Sequence, residues 1–280
     1  MKKHPILLKQ ILLYMVLAMG ISWLLWFPLY GEALGVQVPH FLPKYHFLGA
    51  FGPITAAFVV RYLFAGSRGV TQLWQRMWQV PHLQKSDIKT VLAILGAPFF
   101  FLLLAVGVDA GIQGSLQPFL ELLTVVFSFG FVSKLFFDLV TFGFGEEVGW
   151  RGVITPLLQS RYSVVTAAVL TTAVWSLWHA PMFLYRDGYV QMVGPMMIGW
   201  LLSLFTGSVI LSYLLNKSKG SLLVVAFFHS IIDFAFTYDR SSQLGATLIG
   251  ALVTFLGIGL LVRIVKAKQV GFTFPLLKKL

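Results

Sequence analysis

An all-α, polytopic transmembrane helix bundle, about eight membrane helices with a polar site in the core, is the fold this sequence predicts. Three observations predict it. Hydrophobic residues make up 58% of the chain and charged residues 11%, against about a quarter charged in soluble domains. Apolar stretches of about twenty residues, the length that crosses a bilayer core as helix, recur from end to end. These stretches are continuously apolar and lack the two-residue alternation of a barrel strand, so helices are the spanning element. The net charge of +11 fits membrane topology, in which Lys and Arg gather in cytoplasmic loops, and calls for no nucleic-acid partner. With no cysteine, neither a disulfide framework nor a thiolate metal site can form.

In chain order, Lys2 and Lys3 precede an apolar run over 6–29. It is long for a signal-peptide core and lacks a small-residue cleavage site, so it reads as a retained first helix. Trp23 and Trp26 stand near its outer end as interfacial aromatics. Helix two takes 47–64, and a basic segment follows with Arg61, Arg68, Arg76, Lys85 and Lys89. Trp74, Arg76, Trp78 and Lys85 suit contact with anionic headgroups along the membrane surface. Helix three covers 88–108. Residues 117–159 read mostly as helix, roughly 60 Å at 1.5 Å per residue, far too long for one crossing of a core about 30 Å thick. That segment must break near Gly130, or at Gly143 and Gly145, and the pattern leaves both open. A hairpin at Arg161 leads into helix five over 164–184. Helices six, seven and eight take 191–215, 221–236 and 244–265, and a basic tail follows. With the N-terminus inside, only Lys44, Arg186 and Arg240 fall outside, and Lys134 is unassigned. Such asymmetry sets the expectation of eight crossings of a plasma membrane with both termini cytoplasmic.

The membrane segments contain few ionisable groups: Glu146, Glu147, Arg151, His179, His229 and Asp233, with Lys134, Asp138 and Glu121 nearer an end. Charge at membrane depth is costly and marks function when it is retained. Glu147 and Arg151 are four residues apart on one helix face and can pair, whereas Glu146 points about a third of a turn away without a local counter-charge. Trp175 with His179, and His229 with Asp233, repeat the same four-residue spacing. Gly145 and Gly149 form a small-residue face for close helix approach. Counted from Arg161 and Lys219, these groups fall within roughly one or two helical turns of a common depth. A dry pocket holding two His, a free Glu and an Asp can bind a divalent metal or activate a water directly. His4, His40, His46 and His82 lie in tails or loops and read as solvated.

Glu146-Glu147-x-x-x-Arg151, then Trp175-x-x-x-His179, then His229-x-x-x-Asp233 resembles the CPBP (Abi) family of intramembrane proteases, which includes the Ras-converting CAAX endopeptidases. The likeness covers about 133–236; the first three helices share only hydrophobicity. With no linker and no internal repeat the chain reads as one integral membrane domain: N-terminal membrane helices one to three in 1–110, a catalytic helical core like that family's in 117–265 and a basic cytoplasmic tail in 266–280. The likeness implies peptide-bond hydrolysis, with Glu146 as general base on a water between it and His179. His229 and Asp233 would stabilise the oxyanion or, with His179 and Glu146, hold a zinc ion; no cofactor is required outright. Glu147 and Arg151 would form a buried orienting pair. His-Glu-x-x-His is absent, so this is no zincin. Trp175 stands where the family usually has Phe, a mild change if the ring only packs. Asp233 stands where Asn is common, and a carboxylate suits a metal better than it suits an oxyanion. The implied partners are the bilayer and a membrane-embedded or lipidated peptide or protein substrate. Two readings of other classes compete: a non-catalytic immunity or scaffold protein, and an ion-coupled transporter, which the lack of paired interrupted half-repeats disfavours.

Overall fold

A computed structural model describes residues 4–238 and 243–271. The expectations for Lys2, Lys3, Arg240, Lys278, Lys279 and the side chain of His4 fall outside what it describes. Among the described residues there is no strand. The helices are α1 (His4–Tyr30), α2 (Phe51–Trp78), α3 (Lys85–Gln113), α4 (Gln117–Val126), α5 (Phe129–Gln159), α6 (Val164–Trp178), α7 (Pro195–Lys217), α8 (Leu222–Tyr238) and α9 (Gln243–Lys266).

Five of these, α1, α2, α3, α7 and α9, are long and apolar enough to cross a membrane, and α4 with α5 makes a sixth if the bent pair is one span. The remaining two, α6 and α8, are apolar but have only 15 and 17 residues. At 1.5 Å per residue they reach about 22 to 26 Å, short of a core about 30 Å thick. All eight expected segments are therefore helical, but two are shorter than a full span. Helix α6 gives way at Trp178 because Pro181, one turn on, cannot donate into a continuing ladder; a 3-10 turn over Ala180–Leu184 replaces it.

The long fourth segment breaks between α4 and α5, with a bend of 71°. Ser128 makes the corner: its hydroxyl donates to the Val125 carbonyl at 2.7 Å and accepts the Phe131 N–H at 3.2 Å. That capping bond satisfies one orphan donor of the new helix. Gly143 and Gly145 do not break the chain. There α5 widens into π turns over Leu139–Phe144 and Trp150–Ile154, on either side of an α turn at Gly145–Gly149.

Helix α2 outruns its expected end. Gly66, at φ 61° and ψ −159°, interrupts it, a conformation that glycine enters without steric cost, and helix then resumes to Trp78. Arg61 and Arg76 are buried, not spread on the membrane surface. Arg76 donates to the carbonyls of Gly220 at 2.8 Å, Gly152 at 3.0 Å and Arg151 at 3.3 Å. A buried guanidinium needs such partners, and these carbonyls supply them. Two further expectations also fail. Trp26 is fully buried instead of interfacial, and His46 is half-buried instead of solvated, stacked on Trp26 and hydrogen-bonded through Nδ1 to the Tyr185 hydroxyl at 2.8 Å.

Connections sort onto two faces. Ser221 Oγ donates to Gln79 O at 2.6 Å, Lys219 Nζ to His82 O at 2.9 Å, and Lys217 pairs with Asp87 at 2.8 Å. These bonds join the α2–α3 and α7–α8 connections on one face. The His46–Tyr185 bond joins the α1–α2 and α6–α7 connections on the other. Leu12, Val16, Leu24, Phe100 and Leu103 are exposed outward, while polar groups such as Ser22, Thr155, Ser208 and Glu147 are fully buried. That inversion is what a bundle solvated by lipid requires.

Candidate active site

The widened stretch of α5 is the centre of the bundle. A Cβ on Gly143 would stand 2.7 Å from the Ala226 carbonyl oxygen of α8; one on Gly145 would stand 2.7 Å from that of Ala50, just before α2. One on Gly149 would stand 2.8 Å from the Pro53 carbonyl oxygen of α2 and against the Tyr14 hydroxyl of α1. Small residues on two faces of α5 thus admit α2 and α8 to backbone contact. This brings Glu146 and Glu147 close to side chains of α6 and α8.

Glu147 is fully buried and its Oε1 accepts twice, from Arg151 Nη1 at 3.0 Å and from His229 Nδ1 at 2.7 Å. The expected Glu147–Arg151 pair is present, and it recruits a histidine that sequence did not assign to it. His229 Nε2 faces Asp233 Oδ2 at 3.6 Å, so this imidazole lies between two carboxylates. Asp233 is the least buried of the group, its side chain 31% exposed.

Glu146 is buried, and among the described residues its carboxylate takes one hydrogen bond, on Oε2 from the Trp175 indole N–H at 2.9 Å, and no ion pair. It lies within electrostatic reach of His229 and Asp233. His179 is buried at the end of α6, with Nδ1 2.7 Å from the Trp175 carbonyl oxygen. A carbonyl only accepts, so Nδ1 carries the proton, and in the neutral ring Nε2 is the free acceptor. The imidazole is walled by Trp178, Trp200 and Tyr189, the last stacked at 6.0 Å. The half-buried Arg186, from the connection after α6, lies within electrostatic reach of His179 and Asp233.

All six residues singled out from sequence gather at this centre, and they do so without the spacing a metal would need. Among the described residues no three His, Cys, Asp or Glu side chains converge closely enough to hold an ion.

Three contributions escaped the sequence. Trp175 does more than pack: it donates to Glu146, and its ring lies 4.8 Å from the Arg151 guanidinium. Its presence four residues before His179 was the available signal. Trp178, beside His179, donates to Ser22 of α1 at 2.7 Å. Arg76 closes the backbone of α5 just past the acidic pair. The last two join residues far apart in sequence and left no signal in spacing.

Residues 128–235 match the family model described as type II CAAX prenyl endopeptidase Rce1-like. Those residues run from the cap of α5 almost to the end of α8 and contain all six site residues. A protein of Methanococcus maripaludis named CAAX prenyl protease 2 is 30% identical over 156 residues, which cover 54% of this chain and 57% of that protein. The chain thus aligns with little more than half the length of that relative. With its apolar helices, the chain is an integral membrane protein of multi-pass helical architecture.

Proposed function

From a chain whose residues 128–235 are Rce1-like, we propose an intramembrane endopeptidase that hydrolyses a peptide bond in a membrane-associated, lipidated protein or peptide, the prenylated C-terminal class first. The observation that carries this reading is that Trp175 ties both Glu146, a buried carboxylate with no ion pair among the described residues, and His179, whose Nδ1 is committed to the Trp175 carbonyl and whose Nε2 has no hydrogen bond among the described residues. A buried carboxylate and an imidazole with one nitrogen uncommitted are what a general base and its partner require.

In this mechanism a water bound between Glu146 and His179 loses a proton to Glu146 as its oxygen adds to the scissile carbonyl carbon. The oxyanion that forms takes a hydrogen bond from Nε2–H of protonated His229, whose Nδ1–H is fixed on Glu147. Asp233, an acceptor when ionised, serves the oxyanion by steering that ring. Arg151 balances Glu147. When the carbon–nitrogen bond breaks, Glu146 returns its proton to the leaving amine. No step runs through a metal. Orientation with both termini cytoplasmic, in a plasma membrane, belongs to the same proposal.

The test compares purified parent and Glu146→Gln on farnesylated and unmodified C-terminal peptides, with metal content and chelation measured on the same sample. Glu146→Gln is expected to lower turnover by roughly 10²- to 10⁴-fold, the usual contribution of a positioned base, with thermal unfolding unchanged. Equal cleavage by both proteins sinks the reading and favours a scaffold. Cleavage lost on chelation, with zinc near one per chain, would transfer the water to a metal.

A further inference from the structure

One residue touches every charged or basic group at the centre of α5 except Asp233 and Glu147. Trp175 donates its indole N–H to Glu146 Oε2 at 2.9 Å, and its carbonyl oxygen holds His179 Nδ1 at 2.7 Å. Its ring lies 4.8 Å from the Arg151 guanidinium carbon and meets the His229 ring edge-on at 5.9 Å. A buried indole N–H needs an acceptor, and Trp175 is 7% exposed. Phenylalanine would fill much of the same space but leave Glu146 with no hydrogen bond among the described residues.

We propose that Trp175 is a positioning residue of this site, fixing the Glu146 carboxylate through its indole N–H while its carbonyl fixes His179. This rests on the endopeptidase reading. The two ties are chemically separate. The His179 tie is made by backbone and survives any side chain at 175; the Glu146 tie is made by the side chain and does not. Loss of the indole N–H should therefore act on Glu146 alone, lowering turnover and leaving the affinity for substrate in place.

The experiment uses the full chain in detergent, as parent, Trp175→Phe, and a protein with benzothienylalanine at position 175, which puts sulfur where the N–H was and keeps the bicyclic shape. Substrate is the farnesylated peptide. Isotope-edited infrared difference spectra against Glu146→Gln isolate the Glu146 carboxyl band. Expected for both variants are a shifted band and a kcat lower by on the order of ten-fold, the effect of losing one hydrogen bond to a charged group. KM and the unfolding temperature should stay near those of the parent. An unmoved band, or kcat equal to the parent's in a folded variant, overturns the proposal. If Trp175→Phe fails to fold, the benzothienylalanine protein decides. A shifted band in a protein whose parent cleaves nothing sinks the endopeptidase reading instead, and with it any role of the bond in turnover.

Discussion

Glu147 is where the charge of the site is balanced. Its one oxygen, Oε1, holds Arg151 at 3.0 Å and His229 at 2.7 Å, in a place with no exposure to solvent or lipid. Forming such a pair is costly, and breaking it from one side leaves a buried charge uncompensated, about 3–5 kcal/mol. Glu147→Ala is therefore expected to destabilise the folded protein by about that amount, read as an early thermal transition in detergent. A parent-like transition would show that the pair carries little. Glu146→Gln should unfold with the parent, because Glu146 gives up no ion pair among the described residues. With those outcomes the two adjacent acids would separate into one that holds the fold and one that the proposed mechanism uses as its base. Half of that separation was legible. The four-residue spacing of Glu147 and Arg151 fixes their pairing within one helix, but His229 and Trp175 come from other helices, and their rotation is set by packing that no spacing records.

At the scale of elements, α5 is built to be approached. The Cβ of Gly149→Ala would stand 2.8 Å from a backbone oxygen and 2.7 Å from the Pro53 ring, with the buried Tyr14 on a further side. Neither neighbour is a flexible chain end, so the helices must part, and overpacking of this kind costs about 1–3 kcal/mol. Gly96→Ala in α3, where nothing lies within 4 Å, is the control and should leave unfolding nearly unchanged. Equal behaviour of the two variants would remove close approach as the role of Gly149. The small-residue face was legible because glycines four apart announce it. The π turns beside it were not: they add a residue per turn without a composition of their own. The 71° break at Ser128 was legible only as a necessity of length, since its corner depends on one hydroxyl serving both helix ends. Arg76 was misread for a related reason. A Trp- and Arg-containing stretch suits a membrane surface as well as it suits a buried clamp, and only the tertiary partners decide.

For the whole molecule, orientation follows from where the cations collect. The face that joins the α2–α3 and α7–α8 connections carries Lys217 and Lys219 beside Lys85 and Lys89. The opposite face has Lys44, already paired with Glu32 at 2.9 Å, and Arg186. Under the positive-inside rule the first face is the one that the proposed orientation puts in the cytoplasm. The chain has no cysteine, so a single thiol reports its own side without a background to subtract. Helix α3, Lys85–Gln113, carries the highest mean hydropathy of the five long spans, 2.6, and has an exposed serine at or near each end, Ser86 and Ser115. Serine to cysteine at these sites changes one atom. In intact cells a membrane-impermeant maleimide is expected to label Ser115→Cys and to spare Ser86→Cys until the membrane is permeabilised. The reverse pattern would turn the molecule over and put the site's Arg186 side in the cytoplasm. Labelling of both in intact cells would mean that α3 does not cross, and the alternation of faces on which the bundle rests would fail with it.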